Sequence, residues 1–351
     1  MTLETIRKNI DLLDSKILKL LSDRMELALM AKKVKSEIED KEREKQLLDR
    51  LQMDATGLIN AGFIENIYKE IIKESKKIQQ GDHKLIGFQG EHGAFSEVAS
   101  RSWNKNLISV PCKEFVGVFE GVSSGLYDYG IVPVENTLGG VVGQVNELLI
   151  KTDLQVVGAV DLPIHHCLLV VPGTDHRDIR IVYSHSQALT QCRKFIARNK
   201  LEPLPFYNTA GAAKMLAETT PKASAVIASK LCAGLYNLEI IKENIEDFDG
   251  NNTRFFVLSG EINREEGNKC AIIFTTEHKS GTLFKVLEVF AKENINLTRI
   301  GSIPIEPGNY AFFLDFMGST RDDAVLMVLE KVKEISSSFK LLGCYNEKKT
   351  E

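Results

Sequence analysis

Asn251-Asn252-Thr253-Arg254-Phe255-Phe256-Val257-Leu258 places a hydroxyl and a guanidinium at the mouth of an apolar run. The run from Phe255 to Leu258 reads as a short buried strand, with the polar residues standing at its end. Arg254 is a planar fork suited to a carboxylate, and Thr253 beside it can offer a proton. A strand edge with Arg254 in a structural ion pair is the plainer reading of the stretch alone. The surrounding chain decides between the two.

At 351 residues the chain is long enough for two or three domains, each with its own core. Hydrophobic content of 43% with 26% charged residues is ordinary for a globular chain. A formal net charge of -4 argues against a nucleic-acid partner, and the lysines of the first segment are balanced by acidic residues. No apolar run approaches a membrane span, and the N-terminus reads as a charged amphipathic helix rather than a signal peptide. Cys112, Cys167, Cys192, Cys232, Cys270 and Cys344 form no CxxC pair and read as small buried thiols of a reducing cytoplasm. His165-His166-Cys167 runs directly into Leu168-Leu169-Val170-Val171; adjacent strand residues point to opposite faces, so no metal site is expected.

Residues 1–80 carry a helical period. Ile6, Ile10, Leu13, Ile17, Leu20, Leu27, Val34 and Ile38 fall on alternating three- and four-residue steps, a long amphipathic helix with a coiled-coil-like seam. Arg24 and Ala31 occupy seam positions, and an arginine buried there needs a partner. Arg24 and Lys35 lie close to three whole turns apart and share a face. Arg7 lies roughly 25 Å from Arg24 along the axis, too far for one small ligand to touch both. A shared anion site would therefore take Arg7 from a second chain, which predicts an intertwined dimer. Asp40, Arg43 and Glu44 are neighbours on a second helix, and Ser75 and Gln79 are one turn apart on a third, from about Leu58 to Gln80.

With these residues on the page, the segment resembles the all-helical chorismate mutases in the form fused to prephenate dehydratase. The recurring polar set of that family appears as Arg7, Arg24, Lys35, Asp40, Arg43, Glu44, Ser75 and Gln79. The resemblance implies a unimolecular rearrangement of chorismate to prephenate, driven by positioning and by stabilisation of charge on the ether oxygen. Arg24, Lys35 and the partner chain's Arg7 would hold carboxylates. Lys35 and Gln79 would donate to the ether oxygen, and Glu44 with Asp40 would take the substrate hydroxyl.

After Gln80-Gly81-Asp82, short apolar runs alternate with helical stretches, the signature of an α/β sheet. Lys84 to Phe88 reads as a strand leading into Gly90-Glu91-His92-Gly93-Ala94-Phe95-Ser96. The glycine spacing does not fit a dinucleotide fingerprint, but free N–H groups at a helix start suit a carboxylate. The strand-turn-helix pattern recurs at Glu135-Asn136-Thr137, at Ser184-His185 with Gln191 downstream, and at Asn208-Thr209, where Thr209 reads as an N-cap. Polar residues thus gather where strands end, the usual place for ligands in open α/β sheets. Val-Glu-Asn-Thr (134–137), Tyr-Ser-His with its glutamines (183–191) and Asn-Thr-Arg-Phe (252–255) resemble prephenate dehydratase. The resemblance implies two lobes of periplasmic-binding-protein type over 84–259, the second about 160–240, with the site between them and no cofactor. Thr253 would be the catalytic residue at the leaving hydroxyl, with its proton its own or relayed from Glu135 or His185. Arg254 would anchor a carboxylate or brace the site; Glu135, Asn136, Thr137, Ser184, His185, Gln191, Thr209 and Phe255 would line it.

Past a charged linker at Asn263 to Asn268, the order strand, helix, strand, strand, helix, strand over 269–346 is the ferredoxin-like plan. In this position it resembles an ACT domain, which implies pairing between chains and an amino-acid effector. Gly281-Thr282-Leu283 and Gly301-Ser302-Ile303-Pro304 stand where that family carries its effector residues, with both charged members of the second motif missing. Gly281, Thr282, Leu283, Ser302 and Pro304 are the expected regulatory contacts. Phenylalanine feedback is then weak, rearranged or directed at another ligand, or the module serves dimerisation alone. The chain as a whole reads as a multidomain enzyme of phenylalanine biosynthesis, forming a homodimer or dimer of dimers. An arogenate dehydratase and a non-catalytic amino-acid sensor are the alternatives. Because Gln79 is a neutral amide that donates at any pH, mutase kcat should stay level from pH 6 to mildly alkaline pH. A steep fall between pH 6 and 8 in a chorismate-disappearance assay would contradict its role.

Overall fold

The computed structural model describes residues 2–54, 57–261 and 267–350. The chain divides into two compact units, Met1–Leu85 and Ile86–Glu351. Among the described residues no helix is long and apolar enough to cross a membrane. Of the expected linker over 263–268, residues 263–266 lie outside the described residues.

Among the described residues the first unit is three helices, Leu3–Val34, Lys41–Met53 and Ala61–Gln80. The side chains of Asp40 and Asn60 accept from the N–H groups of Arg43 and Phe63, so both later helices start at a conventional N-cap. The first helix has 32 residues, about 48 Å of axis at the usual rise. Ile6, Ile10, Leu13, Ile17, Leu20, Leu27 and Val34, the seam read from the period, are exposed in the single chain.

The second unit holds three sheets. The first runs in the order Glu347–Lys349, Gln155–Pro163, Asn252–Ser259, Tyr129–Asn136, Leu85–Gln89, Ile108–Cys112, with Gly140–Val141 hooked onto Tyr129–Asn136. Helices Phe95–Trp103, Phe115–Ser123 and Gly143–Lys151 belong to this lobe. After Pro163 the chain builds a second sheet, ordered Glu239–Lys242, Cys167–Val170, Ser224–Ala228, Ile181–Ser184, Glu202–Pro205. It then returns as Asn252–Ser259, antiparallel to both neighbours, with Phe255, Phe256, Val257 and Leu258 buried. The two-lobed α/β plan implied by the resemblance is present.

The third sheet is antiparallel, ordered Leu297–Glu306, Asn309–Met317, Lys269–Thr275, Ser338–Tyr345. Helices Thr282–Lys292 and Asp323–Ile335 bring Val286, Phe290, Val325 and Val328 onto Ile272, Phe274, Leu314 and Phe316. This is the ferredoxin-like order. Past its last strand the chain does something the pattern did not signal: Glu347–Lys349 joins the edge of the first sheet, parallel to Gln155–Pro163. Gly343, at φ +150, permits the approach, since a Cβ there would collide with the Val156 backbone. The Lys340 ammonium donates to the carbonyls of Leu149 and Thr152 at the end of helix Gly143–Lys151, and burial lowers its pKa.

The cysteine reading needs correction. Cys270 and Cys344 are joined in a disulfide, because they face each other across adjacent strands. Cys112, Cys167, Cys192 and Cys232 are free.

Glu97 anchors the loop between the first strand and helix Phe95–Trp103. It is 1% exposed, accepts from Gly93 N–H at 2.7 Å, and lies 2.6 Å from the Arg101 guanidinium and 3.3 Å from His92 Nδ1. Burial pushes its carboxyl up, but His92, the Gly93 N–H and Arg101 outweigh that and hold it below its ordinary value. Its contribution is therefore present above the unfolded pKa and is lost as pH falls through the lower folded value. Glu97→Gln should lower the Tm at pH 7, and the gap to wild type in thermal melts should narrow below pH ~4.

Candidate active site

A cleft of about 510 Å³ opens between the two lobes. The first lobe supplies Gln89, Gly90, Phe95, Ser96, Asn136, Asn251, Thr253 and Phe255; His166 at the crossing and His185, Gln191, Asn208 and Thr209 of the second lobe face them. The lining includes no Asp, Glu, Lys or Arg among the described residues. An anion held here meets neutral donors and imidazoles.

The hydroxyl at 253 is set by Asn136. Asn136 Oδ1 accepts from the N–H groups of Leu138 at 3.1 Å and Gly139 at 2.7 Å, which fixes the amide's orientation. Nδ2 then points at Asn251 Oδ1 and at Thr253 Oγ1, 2.8 and 2.9 Å away. Oγ1 thus serves as acceptor toward Asn136, and its own O–H is not used in that bond.

Alternation along the two strands redirects several expected residues. Arg254 and Glu135 are cross-strand partners one step from the Thr253–Asn136 pair, so both side chains leave on the opposite face of the sheet. Arg254 bonds Asp315, donates to Tyr345 Oη at 2.8 Å, and has Nε 2.6 Å from Glu347. Burial alone would lower the pKa of its guanidinium; the Asp315 carboxylate, Tyr345 and Glu347 reverse that and raise it. Glu135 pairs with Arg299 at 3.1 Å. Neither lines the cleft; of the two readings of Arg254, the brace describes what it touches.

Four smaller corrections have equally local causes. Ser184 is fully buried and donates to the Ile227 carbonyl at 2.6 Å, tying strands rather than facing a ligand. Thr137 donates to the Gly250 carbonyl at 3.0 Å and holds the turn against the returning chain. The cap of helix Thr209–Thr219 is Asn208, whose side chain accepts from Gly211 N–H, while Thr209 lies on the cleft wall. The expected carboxylate nest at the glycine loop is occupied internally: Gly93 N–H goes to Glu97, Gly90 N–H to Cys112 O and Ala94 N–H to Glu91 O.

His166 is the cleft residue that sequence reasoning missed. It precedes strand Cys167–Val170 rather than lying in it, is 2% exposed, meets Gln191 Oε1 through Nε2 at 2.9 Å, and packs edge-on against Phe95. Burial lowers its pKa, which keeps the ring neutral at physiological pH. His165, its neighbour, turns away to Glu246 at 2.7 Å. The two adjacent histidines thus face different partners, a division that the His-His-Cys triplet does not signal.

In the helical unit, Ser75 and Gln79 are buried, and Gln79 Nε2 donates to the Ser75 carbonyl at 3.1 Å, leaving Oε1 without a partner. Arg24 Nη1 is likewise buried and unpaired. Glu44 pairs with Lys76 at 2.7 Å, Lys35 Nζ donates to the Ile38 carbonyl, and Arg7 and Arg43 are exposed. Asp40 spends a carboxylate oxygen on its cap. In the ferredoxin-like sheet a cavity of about 410 Å³ brings together Gly281, Thr282, Leu283 and Ser302 with Tyr310 and Phe312. Pro304 is not among its lining residues, and Ile303 is buried.

A helical unit followed by a two-lobed α/β body with a polar interlobe cleft and a ferredoxin-like module defines a fused mutase–dehydratase with an ACT domain. Family profiles agree in series: chorismate mutase type II over residues 6–80, prephenate dehydratase over 86–263 and ACT domain over 271–334. A bifunctional chorismate mutase/prephenate dehydratase of Pseudomonas aeruginosa is 32% identical over 358 residues, covering 98% of this chain and 97% of that one. The chloroplastic arogenate dehydratase/prephenate dehydratase 2 of Arabidopsis thaliana is 35% identical over 285 residues, covering 77% of this chain and 75% of its own. The crystal structure of prephenate dehydratase in complex with L-Phe from Arthrobacter aurescens superposes with a TM-score of 0.69 at 28% identity, over 75% of this chain and 89% of that one. The chain belongs to the family of bifunctional chorismate mutase/prephenate dehydratases.

Asn136→Ala removes the group that orients Thr253 and the acceptor that shapes the turn. Dehydratase kcat should fall by roughly 10-fold or more, the rate equivalent of one lost hydrogen bond. Ser184→Ala, away from the cleft, should leave dehydratase kcat within about 2-fold while costing stability. Steady-state assays of both variants check this.

Proposed function

We propose that the two reactions of phenylalanine biosynthesis carried by this family run here at separate sites, mutase residues over 1–80, dehydratase residues over 84–259, with an effector module over 269–346. In the first, chorismate folds its enolpyruvyl arm over the ring and rearranges to prephenate. Arg24, Lys35 and Arg7 of a second chain bind its carboxylates; Lys35 and Gln79 donate to the ether oxygen; Glu44 and Asp40 take the hydroxyl; Arg43 and Ser75 complete the wall. The donor role requires the Gln79 amide to turn about its last bond, releasing Ser75. The exposed seam of helix Leu3–Val34 supports a homodimer or dimer of dimers, since an apolar stripe of this length is covered in a stable protein.

In the second, the ring hydroxyl of prephenate leaves as water while the ring carboxylate leaves as CO2. The electrons of the broken carbon–carbon bond complete the aromatic ring of phenylpyruvate, so the protein has only to supply one proton and hold the substrate. The observation that carries this reading is the Thr253 hydroxyl on the cleft wall, held as an acceptor by Asn136 Nδ2 at 2.9 Å. Glu135 faces away, and His166 stays neutral. His185 lies on the cleft wall with Nδ1 accepting from Gln187 N–H, which leaves Nε2 as its donor, and we assign it to feed the Thr253 hydroxyl. Gln191, Thr209, Asn136 and Phe255 hold and enclose the substrate.

Prephenate is favoured over arogenate because the bifunctional relatives match along nearly their whole length, helical unit included. The cavity at Gly281, Thr282, Leu283 and Ser302 supports an amino-acid effector, and a related dehydratase has been crystallised with L-Phe. Thr253→Ala should reduce phenylpyruvate formation from prephenate by at least about 100-fold while chorismate consumption is unchanged. Equal loss of both activities, or retention of both, would overturn the assignment.

A further inference from the structure

Arg254 and Glu135 leave the dehydratase sheet on its far face and meet two residues of opposite sign from the ferredoxin-like sheet. Arg254 bonds Asp315, and Arg299 Nε lies 3.1 Å from Glu135. Asp315 and Arg299 are themselves cross-strand partners, as are Arg254 and Glu135. The result is a ring of alternating charge whose two halves belong to two sheets. Asp315 is 1% and Arg299 8% exposed.

The ring stands beside a break in the ladder between Asn252–Ser259 and Tyr129–Asn136. Thr253 pairs with Asn136 and Arg254 with Glu135, but Phe255 pairs with Pro133, so the ladder slips between 254 and 255. Pro133 has no N–H to donate, and Val134 is left out of the pairing. Its carbonyl is taken up by the Asn146 side chain, 3.1 Å away, which the Arg299 guanidinium approaches at 3.3 Å. A one-residue slip at a bulge would exchange the faces of the strand and separate Asn136 from Thr253. Charges clamped immediately beyond the bulge prevent it.

We propose that Asp315 and Arg299 are positioning residues for the dehydratase reaction, acting through Arg254 and Glu135 to hold the Asn136–Thr253 hydrogen bond. The ferredoxin-like module is thereby part of the dehydratase machinery even without effector. Strands Leu297–Glu306 and Asn309–Met317 carry this half of the ring and, further along, Ser302, Tyr310 and Phe312 of the effector cavity. An occupant of that cavity therefore pulls on the same two strands that set the ring. This inference rests on the reading of Thr253 as the group at the leaving hydroxyl.

The test uses the full-length chain with prephenate and chorismate as substrates. Asp315→Asn keeps the shape and removes the charge; dehydratase kcat should fall about 10-fold or more with KM for prephenate moved less than about 3-fold, and mutase kcat should be unchanged. Asp315→Glu, which restores the charge, should recover most of the rate. Should Asp315→Asn not fold, Glu135→Gln removes a partly exposed member of the ring and should show the same kcat-only loss with the melting transition retained. Wild-type kcat in Glu135→Gln or in a folded Asp315→Asn, or a loss carried by KM and Tm together with no recovery in Asp315→Glu, overturns the proposal. An active Thr253→Ala overturns the underlying reading instead, so the two failures are told apart.

Discussion

Strand Asn252–Ser259 returns from the excursion that builds the second lobe and enters the first lobe between Tyr129–Asn136 and Gln155–Pro163, hydrogen-bonded on both edges. That double pairing is the constraint on which the rest depends. It joins the returning chain to Tyr129–Asn136, closes the first lobe's sheet, and fixes which side chains face the cleft. Thr253 and Phe255 go one way, Arg254 and Phe256 the other, with the Arg254 guanidinium 5.3 Å from the centre of the Phe256 ring. One residue of slip would exchange those roles.

The two faces of this strand solve different electrostatic problems. On the cleft side the polar groups are neutral or imidazole, and several are fixed by bonds to one another, as in Asn136–Thr253 and His166–Gln191. Prearranged dipoles of this kind stabilise developing charge without the reorganisation that water requires. On the far side, full charges are buried. Burial pushes the Asp315 carboxyl up and the Arg254 and Arg299 guanidinium groups pull it down, whereas in Glu347 the pull of Arg254 and Lys269 prevails over burial. Buried ion pairs add little net stability over well-packed apolar residues but make loss of either partner costly. They suit a junction whose geometry, rather than whose strength, has to be maintained.

The helical unit shows the same economy on a larger scale. Its single-chain form leaves an apolar seam uncovered and its polar set divided, with Arg24 Nη1 and Gln79 Oε1 buried and unpaired and Arg7 exposed. Arg7 and Arg24 are separated by the length of the first helix, so one chain alone does not bring them to one ligand. In the dimer proposed above, a second copy would cover the seam and supply Arg7 by the same act.

Local physics made much of this legible from residues alone. The three- and four-residue steps of Ile6 to Val34 give a helix whatever it packs against, and the order of apolar runs from Cys270 to Tyr345 admits a ferredoxin-like sheet. Thr253 and Asn136 could be named because they stand at strand ends. The sequence could not say which neighbours of those residues share their face, since that depends on a bulge opposite Pro133 and on pairing between strands more than a hundred residues apart. Nor could it show that Glu135 and Arg254 are turned toward Arg299 and Asp315, that Glu347 reaches back to the first sheet, or that Cys270 and Cys344 meet. Periodicity is written within one element and so can be read there; a partner from another sheet is chosen by long-range register and burial, which only the tertiary structure decides.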